Sequence, residues 1–190
     1  LRFFETIKAQ DGRVFHIDYH NARLNQTIFE NFGIPSSIDL ASHLIPPQQG
    51  LYRCKVIYSS KIERIEYHPY EFRPIQTFEL VEAVIDYSYK YLDRRAIEVL
   101  LKKADAQEII ILKKGLITDT SKANIALLID GCWLTPKTPL LPGTTRARLL
   151  EAGAIEEADL DVEALRSSQK IALMNAMINF YEINDFEVKG

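Results

Sequence analysis

With 190 residues, 47% of them apolar, the chain is long enough to bury either one sizeable core or two small ones. A net charge of −3 without any basic run argues against a nucleic-acid surface, and no apolar run approaches membrane-spanning length. Cys54 and Cys132 are too few and too far apart for a disulfide framework or a zinc site, so the expectation is a reducing, cytoplasmic setting with no metal. No signal-peptide pattern is present, and the first residue, Leu1 rather than Met, points to trimming.

In chain order, Phe3-Phe4-Glu5-Thr6-Ile7-Lys8 reads as a strand that returns through Val14-Phe15-His16-Ile17 across a turn at Asp11-Gly12. Asp18 is placed to cap a helix whose apolar face is Leu24, Ile28 and Phe29, closing at Gly33. A second short helix is predicted from Ser36 to Leu44, stopped by Pro46-Pro47, and residues 51–59 and 61–67 form a strand pair. Two prolines and the absence of any period make residues 69–74 a linker. Beyond it come a strand over 78–85, Lys90, a helix from about 94 to 104 and a buried strand at 108–112. Residues 113–115 turn into a short strand at 116–119, and 123–129 with 132–135 make a hairpin across Asp130-Gly131. Residues 139–146 run into a helix ending at Glu151. The chain closes with a helix near 162–167, an apolar stretch at 171–177 and a polar-tipped tail.

Lys90 stands at the junction between strand and helix, where a side chain is displayed on a rigid support. Tyr87, Tyr89 and Tyr91 surround it, and Arg94 and Arg95 follow. Aromatic walls and neighbouring cations disfavour an ammonium, which lowers its pKa and makes the amine nucleophilic. Gly143-Thr144-Thr145 at a helix start suits a phosphate, because glycine lets the backbone approach, the hydroxyls add donors and the first amides of a helix attract an anion. On their own, Asp119 (among Thr118, Thr120 and Ser121) and Asn124 read as turn residues bonding their own backbone. Arg23 reads as a helix charge beside His20.

Together these segments resemble the class IV aminotransferase family of pyridoxal-phosphate (PLP) enzymes, and most closely its short aminodeoxychorismate-lyase-like members. The resemblance is carried by Phe4-Glu5-Thr6-Ile7-Lys8, His20-Asn21-Ala22-Arg23-Leu24, Lys90 with Leu92-Asp93-Arg94, and Ile117-Thr118-Asp119 with Asn124-Ile125. Leu141-Pro142-Gly143-Thr144-Thr145-Arg146 and Asn175-Ala176 complete it. It implies a two-domain α/β (α+β) fold of type IV, similar to D-amino-acid aminotransferase. Residues 1–72 would form a small N-terminal α/β domain and 73–190 a larger one carrying the Schiff-base lysine, with the cofactor between them and the whole a homodimer.

By the same resemblance, Lys90 is the catalytic Schiff-base residue, Arg23 contacts the cofactor phosphate as a planar charged fork, and Thr144, Thr145 and Asn175 adjoin it. Asp119 stands where the family usually carries glutamate, the carboxylate that keeps the pyridine nitrogen protonated. Lys122 lies near enough in sequence to compete for it. Leu173-Met174 replaces a hydroxyl residue before the asparagine, and the sequence starts at the Phe-Glu-Thr-Ile segment where relatives carry a preceding strand and loop. The implied reaction is the cleavage of 4-amino-4-deoxychorismate to 4-aminobenzoate and pyruvate for folate synthesis. A branched-chain or D-amino-acid aminotransferase and a non-catalytic relative are the alternatives. Substrate carboxylates would need cations, for which Lys8, Arg53, Lys55 and Arg146 are available.

Overall fold

Strand β1 (Phe3–Gln10) alternates, with Phe3, Glu5, Ile7 and Ala9 fully buried on one face and Thr6, Lys8 and Gln10 half-buried on the other. It turns through Asp11-Gly12, at φ 47° and 77°, into the short β2 (Arg13–Val14), the left-handed pair that a two-residue hairpin requires. Helix α1 (Ile17–Phe32) buries His20, Leu24, Thr27 and Ile28, one stripe at helical spacing. His16, not Asp18, occupies its N-cap and supplies no side-chain cap; Asp18 lies in the first turn, where a negative charge suits the helix dipole. Phe29, expected on the apolar face, is 58% exposed.

The helix expected from Ser36 to Leu44 is a single 3-10 turn, Leu40–Ser42. The reason lies in α1. Asn25 pairs with both the N–H and the C=O of Ile38, at 2.9 Å each, and Asn21 accepts from Leu40 N at 2.9 Å. Side-chain amides thus take the backbone groups a helix would have used. Strands β3 (Leu51–Tyr58) and β4 (Ile62–Pro69) complete an antiparallel sheet in the order β2-β1-β3-β4. Phe3, Ile7, Leu24, Ile28, Val56 and Tyr58 form its core against α1.

The computed structural model describes residues 1–190 and divides into two units, Leu1–Phe72 with Tyr89–Asp93, and Arg73–Ser88 with Arg94–Gly190. In the second unit, β5 (Thr77–Glu82), α2 (Arg95–Lys103) and β6 (Glu108–Lys113) precede the antiparallel β7 (Leu116–Thr120), β8 (Asn124–Ile129) and β9 (Cys132–Pro136). Helix α3 (Thr144–Glu151), β10 (Glu156–Ala158) and α4 (Val162–Ser167) follow, then β11 (Lys170–Asn175), β12 (Asn179–Ile183) and β13 (Glu187–Lys189). The sheet runs β10-β9-β8-β7-β6-β5-β13, with β11 pairing both β8 and β12. Phe78, Ile110, Ile117, Ile125, Leu127, Ile171 and Leu173 are its buried centre. No helix is long and apolar enough to cross a membrane.

Two sequence expectations change here. The strand predicted over 78–85 ends at Glu82, whose carboxylate instead accepts from Lys114 N at 2.7 Å, and Val84 beyond it is 89% exposed. Lys90 is therefore not supported by that strand. Phe4 N donates to Lys90 O at 3.0 Å, Leu92 N donates to Arg2 O at 2.9 Å, and Tyr91 bridges Phe3, so the lysine segment is an added edge on β1. This places Lys90 in the smaller unit rather than in the larger one. The polar-tipped tail forms β12 and β13, which lack a strong apolar alternation and gain their order from pairing with β11 and β5.

Candidate active site

The smaller unit builds its site on both faces of β1. On the buried face Glu5 sits between Phe3 and Ile7 with no exposure at all. A buried carboxylate must find partners, and α1 supplies two at a spacing of three residues. Arg23 Nε donates to Oε1 at 2.8 Å and Nη2 to Oε2 at 2.5 Å, while His20 Nδ1 lies 2.7 Å from Oε2. Burial alone would raise the Glu5 carboxyl; the Arg23 charge and the bonds from His20 and Arg23 override it and hold it at about 2. Burial pushes His20 down, against the pull of Glu5, and the cationic Arg23 and Lys90 push it the same way. Neutral His20 therefore carries its proton on Nδ1, the only arrangement an ionised carboxylate can accept.

On the other face, the Phe4 ring carries the Lys90 ammonium 4.6 Å from its centroid and that of Lys55 at 5.3 Å. Lys8 lies beside Arg53 and Thr6 beside Lys55 in the β1–β3 register, so Lys8, Arg53 and Lys55 form a basic row next to Lys90. The acid across from Lys55, Glu66, is taken by Arg64 at 2.7 Å and His68 at 2.9 Å.

The larger unit holds the other candidate residues. Asp119 on β7 is 5% exposed; Oδ1 accepts from Asn124 Nδ2 and Oδ2 from Leu141 N, both at 2.8 Å. Burial pushes its carboxyl up to about 7, against those bonds and the Arg146 charge. Thr144 and Thr145 are buried at the start of α3, and no side chain caps that helix. Its N-cap, Gly143, is required by close approach, since a Cβ there would stand 2.0 Å from Asn124 Oδ1.

Other expectations resolve differently. Lys122 does not reach for Asp119; its ammonium lies 3.7 Å from the fully buried Glu108. Arg146, offered for substrate carboxylates, is buried and donates to Pro136 O at 2.9 Å and to Glu157 at 2.5 Å, which makes it a structural anchor. Asn175 accepts from Met177 N at 2.9 Å and Ile178 N at 3.1 Å and donates to Lys122 O at 3.3 Å, so its side chain closes the β11–β12 turn and ties it to the β7–β8 turn. Sequence reasoning gave no role to Glu5 beyond motif membership. The signal was present: a lone acid on the inward, otherwise apolar face of a strand.

These residue types fit PLP. An uncapped helix start bearing two threonines suits its phosphate, and Lys90 suits its aldehyde. Asp119 accepts from Asn124 and from the backbone of Leu140 and Leu141, and a carboxylate with about four lone pairs still has one for a ring N–H.

Residues 88–186 match the amino-transferase class IV family. An uncharacterized protein of Haemophilus influenzae is 34% identical over 181 residues, covering 92% of this chain and 96% of that one. The crystal structure of a proposed 4-amino-4-deoxychorismate lyase from Haemophilus somnus 129PT is 32% identical, with a TM-score of 0.84 and 97% of each chain covered. The PLP-bound form of a hypothetical aminotransferase from Mycobacterium tuberculosis shares the fold at 20% identity, with a TM-score of 0.77 over 97% of this chain and 81% of that one. Family match and fold agree: the chain belongs to the amino-transferase class IV family and has its two-unit, fold-type-IV architecture.

Proposed function

We propose that the protein is a PLP enzyme that cleaves 4-amino-4-deoxychorismate to 4-aminobenzoate and pyruvate. The observation that carries this reading is the basic row Lys8, Arg53 and Lys55 beside Lys90, which suits a substrate with two carboxylates. The whole-length likeness to the Haemophilus somnus protein supports it. Bound PLP would supply an aldehyde to hold an amine and a ring that withdraws electrons from the amine-bearing carbon. Lys90 holds the cofactor at rest and, released by the substrate amine, takes the proton from the ring carbon that bears nitrogen. The C–O bond to the three-carbon side chain then breaks, the ring becomes aromatic, and the side chain leaves as the enol of pyruvate, which takes a proton at carbon. No water and no second substrate enter.

In this reading the first amides of α3 would orient the phosphate and Asp119 would hold a proton at the ring nitrogen, while Arg23 keeps the phosphate role that the family resemblance implies. Lys8, Arg53 and Lys55 bind the substrate carboxylates. The test is 4-amino-4-deoxychorismate supplied alone, with pyruvate and 4-aminobenzoate counted. Many equal turnovers without a keto acid are expected. A single turnover with an amino acid, restored by 2-oxoglutarate or pyruvate and giving no 4-aminobenzoate, would replace the lyase with an aminotransferase.

A further inference from the structure

Asp119 and the turn that opens α3 lie more than twenty residues apart in sequence, and Asn124 bridges them beside the direct bond from Leu141 to Asp119. Asn124 Nδ2 donates to Asp119 Oδ1 and to Leu141 O, each at 2.8 Å, while Leu141 N donates back to Asp119 Oδ2 at 2.8 Å. Both hydrogens of the Asn124 amide are used, and the three groups form a closed ring. Asn124 Oδ1 lies against Gly143 so closely that any Cβ there would collide with it. Backbone pairing fixes Asp119 against Ile111 and Asn124 against Met174, and Asp119–Asn124 is the one paired position between β7 and β8; none of these backbone pairs reaches the Leu141–Gly143 turn.

We propose that Asn124 is a positioning residue that locks the Asp119 carboxylate to the Leu141–Gly143 turn. One side chain thereby sets both the acceptor for a cofactor's ring nitrogen and the seat for its phosphate. The cofactor part rests on the PLP reading above; the link between Asn124 and Asp119 does not. Serine or threonine in its place can donate to only one of the two partners, and aspartate sets a second carboxylate against the first.

The experiment compares wild type, Asn124→Ala, Asn124→Ser, Asp119→Asn and the Asn124→Ala/Asp119→Asn double variant. Chemical unfolding is followed without cofactor, and absorbance titrations use PLP and, separately, pyridoxal, which lacks the phosphate. Asn124→Ala is expected to bind both PLP and pyridoxal about tenfold more weakly, as for a lost hydrogen bond worth one factor of ten. In the Asp119→Asn background its effect on pyridoxal should largely disappear, and its effect on the unfolding midpoint should shrink by at least half. Asn124→Ser should fall between wild type and Asn124→Ala, and it carries the comparison if the alanine variant does not fold.

Additive losses in the double variant, or pyridoxal affinity unchanged in Asn124→Ala and Asn124→Ser, would overturn the proposal. If wild type takes up neither PLP nor pyridoxal, the PLP reading fails. The unfolding data then decide the link between Asn124 and Asp119 alone: a shrunken effect upholds it, and additivity removes it.

Discussion

Replacing Arg23 by alanine strands a buried charge. Glu5 has no exposure, and two of the three Arg23 nitrogens are committed to it. Its carboxyl moves from an ordinary 4.5 to about 2 in the folded chain. At 1.36 kcal/mol per pKa unit this corresponds to about 3 kcal/mol of stability at neutral pH. A depressed folded value means that this stability is fully present above pH 4.5 and drains away as pH falls toward 2. In Arg23→Ala the dominant remaining influence is burial, which raises the carboxyl above its unfolded value. His20, relieved of the Arg23 charge, moves up as well. The Glu5 change reverses the sign of its contribution and the His20 change weakens an opposing one, so relative to wild type at each pH the variant should gain stability as pH is lowered from 7 toward 5. The expected cost at pH 7 is about 3–5 kcal/mol, the penalty for breaking a buried pair from one side. Urea unfolding at pH 7, 6 and 5 measures both features, and adding Glu5→Gln to Arg23→Ala should restore much of the loss. A loss under about 1 kcal/mol with the wild-type pH profile would refute the reasoning, because the fork would then be a surface contact.

Asp119 has the opposite sign. Its rise from 3.8 to about 7 means that folding favours the protonated form, so its contribution weakens as pH climbs from about 4 to 7. Without cofactor, Asp119→Asn should gain on wild type by up to about 4 kcal/mol between pH 4 and pH 8; parallel pH profiles from chemical unfolding would contradict this. Gly143→Ala should cost at least about 2 kcal/mol, since Asn124 must abandon its bonds to make room; a thermal midpoint equal to wild type would show that the turn can retreat. Arg146→Met should destabilise the larger unit while leaving KM for a dicarboxylate substrate unchanged, because its guanidinium is anchored to Pro136 and Glu157; a raised KM in the folded variant would return Arg146 to the substrate site.

Local signals were legible and long-range partners were not. The hairpins at Asp11-Gly12 and Asp130-Gly131, the stripe on α1 and the buried strand β6 follow from turn chemistry and period, which act within a few residues. The helix expected before Pro46 failed because Asn21 and Asn25, more than ten residues upstream, hold that segment extended. Lys90 stands out in the sequence by its chemistry, but its support was misplaced, since nothing in the sequence says that residues 90–92 pair with β1. Glu5 was visible as a misplaced charge, yet its pairing with Arg23 needs the register of helix on sheet. Lys122 and Arg146 show the limit of proximity in sequence: each was taken by another carboxylate, Glu108 and Glu157.

The central claim is that Lys90 carries the cofactor. Purified protein incubated with PLP should develop an absorbance band near the visible edge that borohydride abolishes. Peptide mapping of the reduced protein should then place the label on Lys90, and Lys90→Ala should fold normally and show neither band nor label. A label on Lys55, its neighbour across the Phe4 ring, or on any other lysine would contradict the account, as would a band that persists in Lys90→Ala.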